Sequence, residues 1–154
     1  GFPHEFFQRP PVQDFTFGDF KDGRIEGDRK SFYGNGAREQ KFTITDGKIQ
    51  GEVLDYYLCD VLYSKRNFNE NQKMDGEQFY YYANGQVMLK MNFKDGEKDG
   101  VEERFYSNGK LNYTDNYVDG KSNGKYVEYY QNGQIATEGE SKDDELGRCR
   151  ELDI

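Results

Sequence analysis

The sequence predicts an all-β fold, an elongated antiparallel β-meander of about ten strands built from about five 24-residue β-hairpin repeats. Three observations predict it. Glycines recur at Gly27, Gly51, Gly76, Gly100 and Gly124, at a period of 24 with one insertion before Gly76. An aromatic pair follows each at a fixed offset: Phe32-Tyr33, Tyr56-Tyr57, Tyr81-Tyr82, Phe105-Tyr106 and Tyr129-Tyr130. Asn-Gly closes the pattern at Asn35-Gly36, Asn84-Gly85, Asn108-Gly109 and Asn132-Gly133, while Cys59-Asp60 replaces it in the second copy. A fixed period in this range marks stacked supersecondary units, none of which buries its apolar surface alone.

Composition supports the repeat reading and limits the chemistry. The 154 residues suffice for one ordinary domain. Aromatic residues at 16%, with 13 Tyr and 12 Phe, argue against disorder. The 18 Gly against 3 Pro suggest many tight turns. A net charge of −8 speaks against nucleic acid and anionic membrane surfaces, which are bound through clustered Lys and Arg. No apolar run approaches the roughly 18 residues of a membrane helix, so no transmembrane segment is expected. His4 is the only histidine, and Cys59 and Cys149 are the only cysteines. A histidine-dependent enzyme or a zinc site would have to draw on these distant residues. The expectation is therefore no catalytic residue, no metal and no cofactor. Cys59 and Cys149 lie about four repeats apart, roughly 35 Å at about 4.8 Å per strand. A disulfide needs Cα atoms within about 7 Å, so free thiols are expected.

Residues 1–21 form an N-terminal segment. Within it, 14–20 fits the second strand of a degenerate preceding copy that caps the sheet, and Phe2, Phe6, Phe7 and Pro10-Pro11 fold over it. The start at Gly1-Phe-Pro, without Met, reads as a trimmed N-terminus, leaving an exported, periplasmic or cytoplasmic location open. Scarce alanine beside plentiful Lys, Asn, Tyr and Phe suits a bacterial source. Residues 22–140 hold the repeats. Each copy reads as two strands, as in 101–106 and 110–117, joined by a three-residue x-Asn-Gly loop. That loop suits a type I turn with Gly left-handed and a bulge beside it. Connectors begin Asp22-Gly23, Asp46-Gly47, Asp95-Gly96 and Asp119-Gly120, and decay to Asn71-Gln72 before Gly76. Residues 141–154 are a polar C-terminal cap or tail.

The loop length predicts a register. Tyr106 pairs with Lys110, Phe105 with Leu111 and Glu103 with Tyr113. Repetition sets Phe32 opposite Arg38, Tyr56 opposite Leu62, Tyr81 opposite Val87 and Tyr129 opposite Ile135. Continued alternation pairs Phe79 with Leu89 and adds Met91 and Phe93 to one buried apolar face. Gln86, Lys90, Asn92, Lys110, Asn112 and Asn116 fall on an opposite, wet face.

On that wet face the second aromatic is always tyrosine: Tyr33, Tyr57, Tyr82, Tyr106 and Tyr130, spaced about 9–10 Å apart. These are the candidate binding residues. In one reading their rings shield turns and strand edges, with the hydroxyls in water. In the other they form a contact ladder for a partner, since tyrosine joins a large rigid ring to a polar tip. The run Asp95 to Gly100 resembles the start of an EF-hand loop, but the twelfth position falls on Tyr106 where a bidentate Glu is required. A tight turn is the simpler reading. The acidic pairs Glu102-Glu103 and Asp143-Asp144 read as solvated charge. The run Phe79 to Met88 resembles the aromatic hairpins of choline- and glucan-binding cell-wall repeats, although this protein has no Trp to build their cation–π cage.

The full pattern, Gly-x4-aromatic-Tyr-x-Asn-Gly-x-hydrophobic followed by an aromatic and Asp-Gly-Lys-x-x-Gly, resembles the variant MORN repeat over residues 22 to about 140. It is similar to the repeats of YwqK-family antitoxins. Two residues after the opening Gly, where the family often carries Trp, this protein holds Arg29, Val53, Gln78, Glu102 and Tyr126. The resemblance implies a β-hairpin array that binds other macromolecules, with a toxin as the partner in antitoxin members. The expected function is a non-catalytic repeat scaffold for protein–protein interaction, antitoxin-like, with an unidentified protein partner. The alternative is a glycan or cell-envelope binding module using the aromatic hairpins as platforms.

Overall fold

Two kinds of turn alternate along the sequence, and between them they lay out a single antiparallel sheet. The computed structural model describes residues 19–143 and 145–146. The strands are β1 (Asp19–Lys21), β2 (Arg24–Phe32), β3 (Arg38–Thr45), β4 (Lys48–Tyr56), β5 (Leu62–Phe68), β6 (Gly76–Tyr81), β7 (Val87–Lys94), β8 (Glu97–Lys98), β9 (Gly100–Phe105), β10 (Leu111–Val118), β11 (Lys121–Ser122), β12 (Gly124–Tyr129), β13 (Ile135–Lys142) and β14 (Glu145–Leu146). Hydrogen-bonded order follows sequence order, so the sheet is an open meander. The short β8 and β11 pair onto β7 and β10 beside the main path. The strand count exceeds the expected ten because edge strands and connector strands add to the five hairpins. No helix occurs among the described residues.

Each hairpin tip is the predicted three-residue loop. Tyr33 N–H donates to the Ala37 carbonyl at 2.8 Å and Gly36 N–H to the Tyr33 carbonyl at 2.9 Å. Gly36 takes a φ of 86°, which glycine adopts without a Cβ penalty. In the second copy Asp60 stands in the glycine's place with φ 64°, and the same two bonds form. The connectors are two-residue turns with both residues left-handed, as at Asp46 (51°) and Gly47 (75°), closing Thr45 onto Lys48. This mirror-image turn matches the right-handed twist of the flanking strands. The insertion before Gly76 folds as one more three-residue tip, with Asn69 N–H donating to the Lys73 carbonyl and Gln72 left-handed.

The first cross-strand pair is as expected in all five hairpins: Phe32–Arg38, Tyr56–Leu62, Tyr81–Val87, Phe105–Leu111 and Tyr129–Ile135. Beyond it the expected register fails. Glu103 pairs with Thr114 rather than Tyr113, and Phe79 with Lys90 rather than Leu89. A second bulge, one residue past the first pair, is the cause: Glu39, Tyr63, Met88, Asn112 and Ala136 are each passed over in the ladder. One extra residue turns every later side chain to the other face. Lys90, Asn92 and Asn116 therefore lie opposite Phe79, Glu77 and Val101, on the face of the aromatic–aliphatic pairs. Leu89, Met91 and Phe93 lie opposite Tyr80, Gln78 and Gly76, on the other face.

The division into a buried apolar face and a wet face is corrected as well. The position two residues past each opening glycine is buried in every copy: Arg29, Val53, Gln78, Glu102 and Tyr126 are between 0% and 8% exposed. Strand alternation puts this row on the tyrosines' side, four residues before each tyrosine. The aromatic–aliphatic pairs are mostly half-exposed, and Ile135 is 42% exposed. With no second layer among the described residues, most burial comes from side groups of neighbouring strands crowding the tyrosines' face; Tyr56 and Val127, 8% and 6% exposed, are buried on the other. A bulge in every hairpin bends the strands and favours such crowding. Gly139 makes room in this row, because a Cβ there would collide with the Tyr126 hydroxyl and ring.

At the N-terminal edge β1 pairs with β2 over residues 19–21, and the rest of the expected cap lies outside the described residues. At the other end β14 pairs with β13. Cys59 is an exposed free thiol at a tip, and Cys149 lies outside the described residues.

Candidate functional site: the tyrosine row and the polar spine

The tyrosine row is a series of inter-repeat bonds. Tyr33 Oη donates to the Tyr56 carbonyl at 2.7 Å, Tyr57 Oη to the Tyr81 carbonyl at 2.7 Å, Tyr82 Oη to the Phe105 carbonyl at 2.7 Å and Tyr106 Oη to the Tyr129 carbonyl at 2.5 Å. Each hydroxyl thus reaches the first aromatic of the next copy, and the expectation of hydroxyls in water is corrected for these four. The cause is geometric. A tyrosine ring spans the two-strand repeat, and the carbonyl at that strand end is available as an acceptor. Each bond contributes about 0.5–1.5 kcal/mol net. Tyr33 is buried, and Tyr57, Tyr82 and Tyr106 are half-buried. Burial pushes the Tyr57 phenol above its ordinary value, with smaller contributions from Tyr63 and Cys59. Tyr130 ends the row at 57% exposed, and its hydroxyl has no partner among the described residues.

The tip asparagines add a second set of bonds. Asn35, Asn84, Asn108 and Asn132 each accept, through Oδ1, the N–H two residues on. Asn35 Nδ2 also donates to the Leu58 carbonyl at 3.3 Å and Asn84 Nδ2 to the Ser107 carbonyl at 2.8 Å, both in the next tip.

Beneath the tyrosines runs the buried polar spine, and among the described residues its buried side-chain nitrogens and oxygens are met except Arg66 Nε. Asp55 accepts from Gln40, Ser64 and Arg66, each at 2.8 Å. Gln78 acts as a backbone surrogate for β5: its Oε1 accepts the Asn67 N–H at 2.8 Å and its Nε2 donates to the Asn67 carbonyl at 3.1 Å. Glu102 accepts from Lys98 at 2.7 Å and Arg104 at 3.1 Å. Lys98 lies 4.6 Å from the Tyr117 ring centre and Arg104 5.1 Å from that of Tyr113. Asp115, directly opposite Glu102, accepts from the Tyr113 and Ser122 hydroxyls and its neighbour's N–H. Burial and then the Asp115 charge push the Tyr113 phenol strongly upward. Burial and then the Glu102 charge push Tyr117 up to about 12. These carboxylates hold the fold together. Among the described residues no group of three or more His, Cys, Asp or Glu side chains is placed to hold a metal ion. The Glu102-Glu103 pair, expected to be solvated, divides: Glu102 is 2% exposed and Glu103 lies half-exposed on the opposite face.

The opposite face carries an exposed feature that alternation alone misses. Register places Lys30, Lys41, Leu54, Lys65, Phe79 and Lys90 side by side across β2 to β7. The row continues through Glu103 and Thr114 to Val127 and Glu138. Phe79 stacks on Tyr81 with ring centres 6.2 Å apart and planes at 17°, and Lys90 lies 5.8 Å from the Phe79 ring centre. Lys65 and Lys90 make solvent-facing pairs with Glu52 and Glu77 at 3.3 and 3.6 Å.

No curated protein matches the sequence. Residues 74–95, 98–119 and 122–143 each match the family model of the MORN repeat variant. These segments cover the hairpins β6–β7, β9–β10 and β12–β13. The first two hairpins share the tip loop, first pair and bulge, while the second carries the Asp60 tip and is followed by the inserted 69–73 turn. The matches thus fall on the last three hairpins, set in a sheet whose geometry extends through all five.

Proposed function

We propose that this repeat scaffold is non-catalytic and binds a protein partner across the face of the aromatic–aliphatic pairs. The observation that supports the reading is the row from Lys41 to Lys90, where Leu54 and Phe79 alternate with Lys41, Lys65 and Lys90 at two-strand spacing. Half-exposed apolar groups there gain by burial, and the lysines give orientation. The tyrosine row is the second candidate surface, offered through its ring edges and through Tyr130. The resemblance to antitoxin repeats makes a toxin the first partner to test. The experiment compares three variants against a partner recovered with the unaltered protein. Phe79→Ser combined with Lys65→Glu is expected to weaken binding at least tenfold with the fold retained. Tyr82→Phe, which keeps the ring, and Tyr130→Ser test the other face. Loss of binding in Tyr130→Ser alone would move the site to the tyrosine row, and unchanged binding in all three would defeat the proposal.

One observation favours glycan binding as a second reading: the half-exposed Phe79 and Tyr81 rings, with nearly parallel planes, offer adjacent aromatic surface with Lys90 and Glu77 beside it. Titration with cell-wall oligosaccharides separates the two, since only a glycan module binds them and loses that binding in Phe79→Ser.

A further inference from the structure

We propose that Asn132-Gly133 is a site of spontaneous deamidation, set apart from the three other Asn-Gly tips because, among the described residues, the bonds that hold those tips shut are not made there. Deamidation needs only the protein and water. The Gly133 backbone nitrogen attacks Cγ of Asn132 and gives up its proton. The bond between Cγ and Nδ2 breaks, ammonia leaves, and a succinimide ring forms. Water then opens the ring at either carbonyl to give aspartate or isoaspartate. Glycine after asparagine favours the attack because no side group blocks the approach.

All four tips share one restraint. The N–H of Gly36, Gly85, Gly109 and Gly133 donates to the carbonyl of the tip tyrosine at 2.9 Å in each case. The attacking nitrogen is therefore held away from Cγ until the tip opens, and the reaction rate follows the population of the open tip. The tips differ in what opposes opening. At Asn35 and Asn84 the side-chain amide donates to the next tip, and the preceding Tyr33 and Tyr82 are bonded to the next hairpin. At Asn108 the Tyr106 bond is present, and no bond from the side-chain amide to the next tip is made. At Asn132 neither restraint is made among the described residues: Tyr130 is 57% exposed, and Asn132 Nδ2 reaches Gln134 Oε1 of its own tip, at 3.4 Å. The order of conversion is therefore Asn132, then Asn108, then Asn35 and Asn84. With two hydrogen bonds separating the extremes, Asn132 converts roughly tenfold faster than Asn84. Isoaspartate would lengthen the backbone of a three-residue loop whose register depends on its length.

The full-length protein is incubated in neutral buffer, digested at intervals and mapped by mass spectrometry for the amide-to-acid mass change and for isoaspartate. The same series in denaturant sets the rate of each site without the fold. Conversion at Asn132 first among the four tips, with the spread between them collapsing in denaturant, is the expected result. Conversion at Asn35 or Asn84 as fast as at Asn132 in the folded protein overturns the proposal, as does protection of Asn132 equal to theirs. Tyr106→Phe supplies a second reading. It removes one hydroxyl and should raise the Asn108 rate severalfold while leaving Asn35, whose tip is held through Tyr56 and Leu58, unchanged, and an unchanged Asn108 rate overturns the role given to the tyrosine bonds.

Discussion

The second and fourth hairpins trace the same path with different chemistry. In the fourth, Asn108-Gly109 makes the tip, and two carboxylates, Glu102 and Asp115, sit opposite each other in the spine. In the second, Cys59-Asp60 makes the tip, and Val53 and Arg66 occupy the corresponding spine positions. Asp60 is held from the preceding copy: Arg38 Nε donates to Oδ1 at 2.8 Å and an Arg38 terminal nitrogen to Oδ2 at 3.2 Å. Tip asparagines at 35 and 84 instead reach forward to the next copy. The repeat is therefore defined by loop length, bulge position and strand register. Tip and spine residues can change so long as a left-handed φ and a satisfied buried position survive. Matches to the MORN variant are confined to the last three hairpins while the geometry is not.

The largest effect that sharpens this contrast is in the spine. Glu102→Ala removes the shared acceptor of Lys98 and Arg104 at a site 2% exposed. Breaking a buried pair by deleting one partner costs about 3–5 kcal/mol; Arg104, whose side chain is 53% exposed, regains water and puts the expected loss near about 3 kcal/mol. Val53→Ala, in the packed version of the same position, should cost about 1–2 kcal/mol. Urea denaturation of the two variants measures both, and equal losses would mean that the fourth hairpin does not depend on its charges.

The same contrast explains what was legible in the sequence. Tips and connectors are legible because left-handed backbone restricts the residues that fit, so Gly36, Gly85, Gly109 and Gly133 mark themselves. The first cross-strand pair follows from loop length alone. The bulge is hidden. Val87, Leu89, Met91 and Phe93 alternate without a break, while the passed-over Glu39, Tyr63, Met88, Asn112 and Ala136 share no chemistry. A period-two pattern then assigns the wrong face to everything after the bulge. The spine is hidden for another reason: Arg29, Gln78 and Glu102 look solvated by residue type. The signal that marks them is positional, a fixed offset from the opening glycine. The tyrosine hydroxyl bonds leave no trace beyond the invariance of the residue from copy to copy.

An intermediate effect distinguishes the inside of the array from its end. Tyr82→Phe deletes one inter-repeat bond and leaves the Phe105 carbonyl without that donor. The expected cost is about 1 kcal/mol. Tyr130→Phe deletes a hydroxyl with no partner among the described residues and should change stability by less than about 0.5 kcal/mol. Thermal melts of the pair test the ladder directly. A Tyr130→Phe loss as large as that of Tyr82→Phe would show that the hydroxyls do not act through the carbonyls they face.

The smallest effect concerns the substitute tip and its dependence on pH. The hydrogen bonds from Arg38 hold the Asp60 carboxyl below its ordinary value, and the same contact holds the Arg38 guanidinium above its own. The depressed carboxyl contributes stability that is fully present above the ordinary carboxylate value. That contribution is lost as pH falls through the lower folded value. The raised guanidinium value adds nothing at working pH, because arginine stays charged in both states. Side chains 48% and 49% exposed are screened by salt, so the contribution is small and fades at high ionic strength. Asp60→Asn should therefore flatten the acid limb of the stability profile slightly. It keeps the tip, because asparagine also tolerates the φ of 64°. Asp60→Gly removes the pair and relieves the backbone together, so the two changes oppose each other and the net shift is near zero. Denaturation midpoints across the acid range, at low and high salt, measure these differences. An acid limb identical in Asp60→Asn and the unaltered protein at low salt would show that the arginine contact does not hold the tip. The left-handed aspartate alone would then account for the second hairpin's loop.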